Sequence, residues 1–141
     1  MDRKQRIELL VDHVKNPRFQ GVLDDVDVVM PGGSPECGGS VVIYLKGGKD
    51  GRIEDVSFTG EGDTISMAAT SMVMEKVHAE NLDTEQVLAL DYDEFIESVG
   101  REIVGSRTRN ATLGLSTLKS AVRKFQKDLR SGAAERVAET A

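Results

Sequence analysis

The chain has one cysteine in 141 residues, and that scarcity decides more than any abundance does. A lone thiol closes no intramolecular disulfide, so no oxidative framework is expected, and a reducing compartment, the cytosol, is the expected location. Aromatic residues make up 4% of the chain, which leaves few platforms for base stacking, and a net charge of −6 repels phosphate. Both features count against nucleic-acid binding. No apolar run approaches the roughly 20 residues that span a bilayer. The opening Met1-Asp2-Arg3-Lys4-Gln5-Arg6 leads into a charged amphipathic segment rather than an apolar signal core, so no membrane partner is expected. Internal repeats, low-complexity tracts and the phosphate-cradling patterns GxGxxG and GxxxxGK are missing as well. No nucleophile–base pair or paired carboxylates stand out, so an independent hydrolase or transferase is not expected.

What is present describes an ordinary globular chain, with 39% hydrophobic and 30% charged residues. The length suits a single core. One domain is expected over residues 1–130, with residues 131–141 a fraying tail that lacks an aromatic anchor. Charge is unevenly spread. From Asp50 to Glu102 the only basic residues are Arg52, Lys76 and Arg101. From Arg107 to Arg130 the sign reverses: Arg107, Arg109, Lys119, Arg123, Lys124, Lys127 and Arg130 face only Asp128. That stretch reads either as a solvated helix face or as a dock for an acidic protein partner.

Periodicity sets the expected elements. Ile7, Leu10, Val11 and Val14 recur at helical spacing and define an opening amphipathic helix that stops before Asn16-Pro17. Strands follow around Val26–Met30, Val41–Lys46 and Ile53–Phe58, with Gly47-Gly48-Lys49-Asp50-Gly51 as a hairpin connection. Helices then take over. The first runs from Thr64 to about Ala79, short ones from Thr84 to Leu90 and from Asp93 to Val99 have Asp83 and Asp91 as caps, and a long closing helix carries Ala111, Leu115, Leu118, Val122, Phe125 and Leu129 on one face. Strands followed by helices give an α+β domain, a three-stranded antiparallel sheet with helices packed on one face.

The lone thiol, Cys37, sits among glycine, serine, proline and glutamate from Gly32 to Ser40, which is turn chemistry rather than core chemistry. An accessible loop is expected there, where a thiol meets a metal or another sulfur. Asp12-His13-Val14-Lys15-Asn16-Pro17-Arg18 closes the first helix, Phe58 to Ala68 joins a strand to a helix, and Arg107 to Leu113 opens the last helix. Together with Cys37-Gly38-Gly39, these segments resemble, in order and approximate spacing, the iron–sulfur cluster assembly scaffold family of IscU, SufU and the amino-terminal domain of NifU. The resemblance reaches to Phe125 and is nearest the SufU branch. It implies that Cys37, Asp63 and Asn110 converge at one end of the fold, that an iron–sulfur cluster or zinc is the group handled there, and that a cysteine desulfurase or another assembly protein is the partner.

The match departs from the family at its ligands. Gly39 stands in the family's aspartate position, and Asp63 and Asn110 stand in cysteine positions, so Cys37 is the one family ligand retained. Asp63 has two readings: a carboxylate one residue before a helix caps its free N–H groups, and it is also an oxygen ligand for zinc or iron. Asn110 is a poor ligand and a common first-turn residue. His13 and His78 read as surface or half-buried side chains, and Gly60 and Gly62 as the hinge of a sharp turn out of the third strand. Two functions remain open. One is a scaffold or sulfur acceptor working through Cys37 with a degenerate ligand set, either holding no metal or completing a site with Cys37 of a second copy in a homodimer. The other is a non-catalytic docking or regulatory module that binds a cysteine desulfurase without carrying a cluster.

Overall fold

Alternation of apolar and polar residues in Val41–Lys46 forces one strand face inward, and the structure buries Val41, Ile43 and Leu45 while Val42, Tyr44 and Lys46 stay half-buried. The computed structural model describes residues 1–140 other than Pro35 and Cys37, and side chains as far as Gly132. Helix α1 spans Arg3–Lys15 and is followed by strands β1 (Val28–Ser34), β2 (Gly39–Gly47) and β3 (Ile53–Gly62). Helices α2 (Thr64–Ala79), α3 (Thr84–Leu88), α4 (Tyr92–Val99), α5 (Arg101–Val104) and α6 (Thr108–Thr140) complete the chain. The sheet is an antiparallel meander in the order β1-β2-β3, as expected. Its inner face meets α6 and α2, and the core runs from Val28, Ile43 and Phe58 to Val73, Leu115, Leu118 and Val122.

The strands outrun their apolar residues. Turn-rich composition suggested a loop from Gly32 to Ser40, yet Pro31 pairs with Val42 and Ser34 with Gly39, so the connection shrinks to residues 35–38. Proline is tolerated because β1 is an edge strand, where a missing N–H need not break a ladder. Likewise Gly60 and Gly62 lie within β3 and do not hinge. A Cβ on Gly62 would stand 2.6 Å from the Gly39 Cα, so its bareness serves close strand pairing. The segment after Pro17 runs beside β3, where Gln20 bridges to Phe58, covering part of that strand's outer edge.

Asp83 and Asp91 cap α3 and α4 as their sequence implied, each accepting from the backbone three residues on. The turn of α5 had no periodic signal. Helix α1 buries less than its pattern suggested: Leu10 and His13 face inward, while Ile7, Val11 and Val14 remain exposed. Helix α6 continues to Thr140, past the expected domain end at residue 130; the side chains of the expected tail beyond Gly132 lie outside the described residues. Among the described residues no helix is long and apolar enough to cross a membrane.

Candidate functional site

Helix α2 starts where it does because Asp63 is extended (φ −73°, ψ 169°) and its Oδ1 accepts the Ser66 backbone N–H at 2.7 Å. The second carboxylate oxygen is also engaged. The Asn110 Nδ2 in the first turns of α6 donates to Asp63 Oδ2 at 2.5 Å. A carboxylate at neutral pH only accepts, so the amide must turn its NH₂ toward it. Capping and a contact across the site therefore coexist, one on each oxygen.

The loop that carries Cys37 is tied to the same place. The Asp63 backbone N–H donates to the Gly38 carbonyl at 2.8 Å. Gly38 itself has φ +95°, and a Cβ there would stand 2.4 Å from Asn110 Nδ2 and 3.5 Å from Asp63 Oδ2, so only glycine fits. Thus Gly38, Asp63 and Asn110 converge, bringing together segments far apart in sequence. Cys37 itself lies outside the described residues, and so does its part in that convergence. A cleft of about 250 Å³ opens beside them, lined by Gly33, Gly39, Arg109, Asn110, Leu113 and Ser116.

Partial burial works to raise the Asp63 carboxyl. The Ser66 amide, the polarity of the adjacent Ser66 hydroxyl, the Asn110 amide and the charge of Arg107 outweigh it and hold the group below its ordinary 3.8. Asp63 is therefore ionised at neutral pH. The Ser66 hydroxyl oxygen is fully buried and has no hydrogen-bond partner among the described residues. It lies against Gly39, 3.3 Å from where a Cβ would be. Sequence reasoning passed over Ser66 and the effect of Arg107 on Asp63. The offset of three residues from a capping aspartate was the available signal for Ser66.

The donor set does not suit a resident metal held by one chain. A tetrahedral zinc site takes four thiolate, imidazole or carboxylate ligands. Here one carboxylate faces the site, and the position beside it presents an NH₂ that has no lone pair to give. Adding the Cys37 thiolate from the sequence leaves the tetrahedron half filled. No cluster of metal-ligating side chains is found among the described residues.

The histidines lie elsewhere. His78 is half-buried, with its ring stacked on Phe19 and Nε2 2.9 Å from the Val56 carbonyl. His13, expected at or near the surface, is only 2% exposed because it fills the seam between α1 and α2, where Nδ1 lies 2.7 Å from Ser71 Oγ. Neither reaches the site. Lys119 also leaves the basic face to which its charge assigned it, since its Nζ is buried against the Leu90 carbonyl and over the Tyr92 ring. The exposed basic residues that remain are Arg107, just before α6, and Arg109, Arg123, Lys127 and Arg130 along it, with Lys124 paired to Asp128.

Comparison with known proteins agrees with this architecture. The family model described as the NifU-like N terminal domain matches residues 6–131. The iron–sulfur cluster assembly scaffold protein IscU of Thermotoga maritima is 31% identical over 113 residues, spanning 80% of this chain and 77% of that protein. The zinc-dependent sulfurtransferase SufU of Bacillus subtilis is 32% identical over 133 residues, spanning 83% of this chain and 88% of that protein. The solved N-terminal part of a nitrogen-fixing NifU-like protein from Brucella abortus superposes with a TM-score of 0.71 over 85% of this chain and 93% of that one. At 17% identity that likeness concerns the fold alone.

Proposed function

Because the chain belongs to the NifU-like N-terminal domain family, we propose that it serves iron–sulfur cluster assembly as a scaffold-like protein that handles sulfur through Cys37. The observation that carries this reading is the tethering of Gly38, the residue after the only thiol, to the N-terminus of α2 and the first turns of α6. Cys37 acts as a sulfur acceptor in this reading. Its thiolate attacks the outer sulfur of a persulfide on a cysteine desulfurase. The donor's S–S bond breaks, the donor cysteine leaves as a thiolate, and the sulfur remains on Cys37 as a persulfide. No step runs through a metal. Tight binding of zinc or a cluster would need ligands from outside the chain, most simply Cys37 of a second copy.

The exposed basic stripe of α6 supports a second reading, a docking module that binds an acidic face of a desulfurase and transfers nothing. One experiment separates the two. The protein is incubated with a cysteine desulfurase and cysteine, and its mass is measured. A gain of one sulfur in the wild type and none in Cys37→Ser is expected. Association that persists in Cys37→Ser but weakens with salt, or in an Arg123→Glu/Lys127→Glu variant, without any sulfur gained by the wild type, would replace transfer with docking. Neither sulfur gain nor salt-sensitive association would leave the likeness as one of fold.

A further inference from the structure

We infer that the Asn110–Asp63 hydrogen bond does without an ion what a shared metal would otherwise do, locking Gly38, the residue after Cys37, onto the ends of α2 and α6. Three observations meet at this point. The bond joins two residues 47 apart in sequence at 2.5 Å. It is charge-assisted, since Asp63 is held ionised, and bonds of that kind are roughly twice as strong as neutral ones. The loop is pinned to both partners, through the Asp63 N–H on the Gly38 carbonyl and through the packing of Gly38 against the Asn110 amide.

The chemistry of the pair explains why both positions differ from thiolates together. Two thiolates facing one another need a cation between them, because like charges at contact repel. An aspartate facing a cysteine needs one whenever the cysteine is a thiolate, and otherwise meets a thiol that is only a weak donor. An asparagine facing an aspartate does not: the amide supplies the positive end of a dipole, and the cap on Ser66 holds the carboxylate in place. Asp63 and Asn110 are thus positioning residues for Gly38, and the pair needs no metal between them. The thermal test below does not depend on the sulfur-acceptor reading; only the reactivity of Cys37 bears on both.

The test exchanges the partners. Asn110→Asp places two carboxylates in contact and is expected to lower Tm by about 5 °C or more at pH 7. It should also raise the rate at which iodoacetamide alkylates the single thiol several-fold, because the loop opens more often. The swap Asp63→Asn/Asn110→Asp rebuilds the bond in reverse and should restore both Tm and alkylation rate, since an asparagine caps a helix about as well as an aspartate and α2 keeps its start. Wild-type protein stripped with a chelator should keep its Tm. If Asn110→Asp does not fold, Asn110→Ser removes the donor without adding charge and should give the same losses in smaller measure. The inference fails if the swap does not recover what Asn110→Asp loses, if loss of the Asn110 donor leaves Tm and alkylation unchanged, or if chelation lowers the wild-type Tm. Failure here with sulfur still loading onto Cys37 would overturn the lock and leave the acceptor reading intact.

Discussion

Replacing Gly114 by valine is expected to destabilise the protein by about 3 kcal/mol and to lower its Tm by about 10 °C. Helix α6 crosses α2 here at very short range. A Cβ on Gly114 would stand 2.5 Å from the Thr70 Oγ1, 2.8 Å from its Cβ and 2.9 Å from its Cα. The side-chain atoms have nowhere to swing, since Thr70 is fully buried and its hydroxyl donates to the Ser66 carbonyl at 2.7 Å. The Cα belongs to the backbone of α2 and moves only with the helix. The helices must therefore part, and apolar contacts along their length are lost with them. Parting also reaches the site, because Asn110 lies one turn before Gly114 on α6 and Asp63 lies about two turns before Thr70 on α2. Alanine is the informative control. It adds helix propensity of about 1 kcal/mol over glycine, so in open space it would stabilise. A net loss is expected instead, smaller than that of valine. Urea unfolding of the three proteins decides it, and a Gly114→Ala variant more stable than wild type would show that the crossing is not tight.

The crossing shows which parts of this molecule were legible in its sequence. The periodic residues Ala111, Leu115, Leu118 and Val122 announced α6, and the structure buries all four. Alternation in β2 set the sheet's inner face, and the aspartates at 63, 83 and 91 announced helix starts because capping is a local act. What stayed hidden is tertiary. Gly114 reads as an ordinary weak spot in a helix until Thr70 is placed opposite it. The turn-forming run Pro31 to Ser34 reads as loop because its partners Gly39 to Val42 lie across a ladder that composition does not specify. At the site, the motifs indicated that Asp63 and Asn110 belong together. Only the geometry indicates how: as hydrogen-bond acceptor and donor, with the cap kept on the other oxygen. Likewise His13 looked peripheral because a helix end is usually exposed, whereas the seam between α1 and α2 takes it in.

Replacing Ser71 by alanine is expected to cost about 2–5 kcal/mol, because it strands the buried His13 imidazole and a half-buried backbone N–H of Arg18 at once. The Ser71 hydroxyl is fully buried, accepts the Arg18 backbone N–H at 2.8 Å and lies 2.7 Å from His13 Nδ1. A hydroxyl accepts twice and donates once, so Ser71 pairs with either tautomer of the ring, and the other nitrogen, Nε2, lies on the side of Glu75. Around this pin, the Arg18 guanidinium holds Glu75 at 3.0 Å and Asp12 at 2.5 Å, fastening the Asn16-Pro17-Arg18 turn over the seam. Protonating His13 would place a charge in the buried seam. Desolvation lowers its pKa from the ordinary 6.5, and the charge of Arg18 lowers it further, against Glu75 and Asp12. The folded state thus binds the proton less readily than the unfolded chain. Stability is therefore full above pH 6.5, falls as the pH drops from there toward the depressed folded pKa, and is level in this respect below it. Asp63, held below 3.8, adds its own loss only as the pH falls past that value. Urea unfolding of the wild type at pH 7.5 and 5.5 should show a loss between them, which His13→Gln should largely abolish. An unchanged wild-type midpoint across that interval, or an equal drop in His13→Gln, would mean that the imidazole is not the group being titrated. Ser71→Ala unfolding at the wild-type midpoint would likewise remove the pin from the account of how α1 is held.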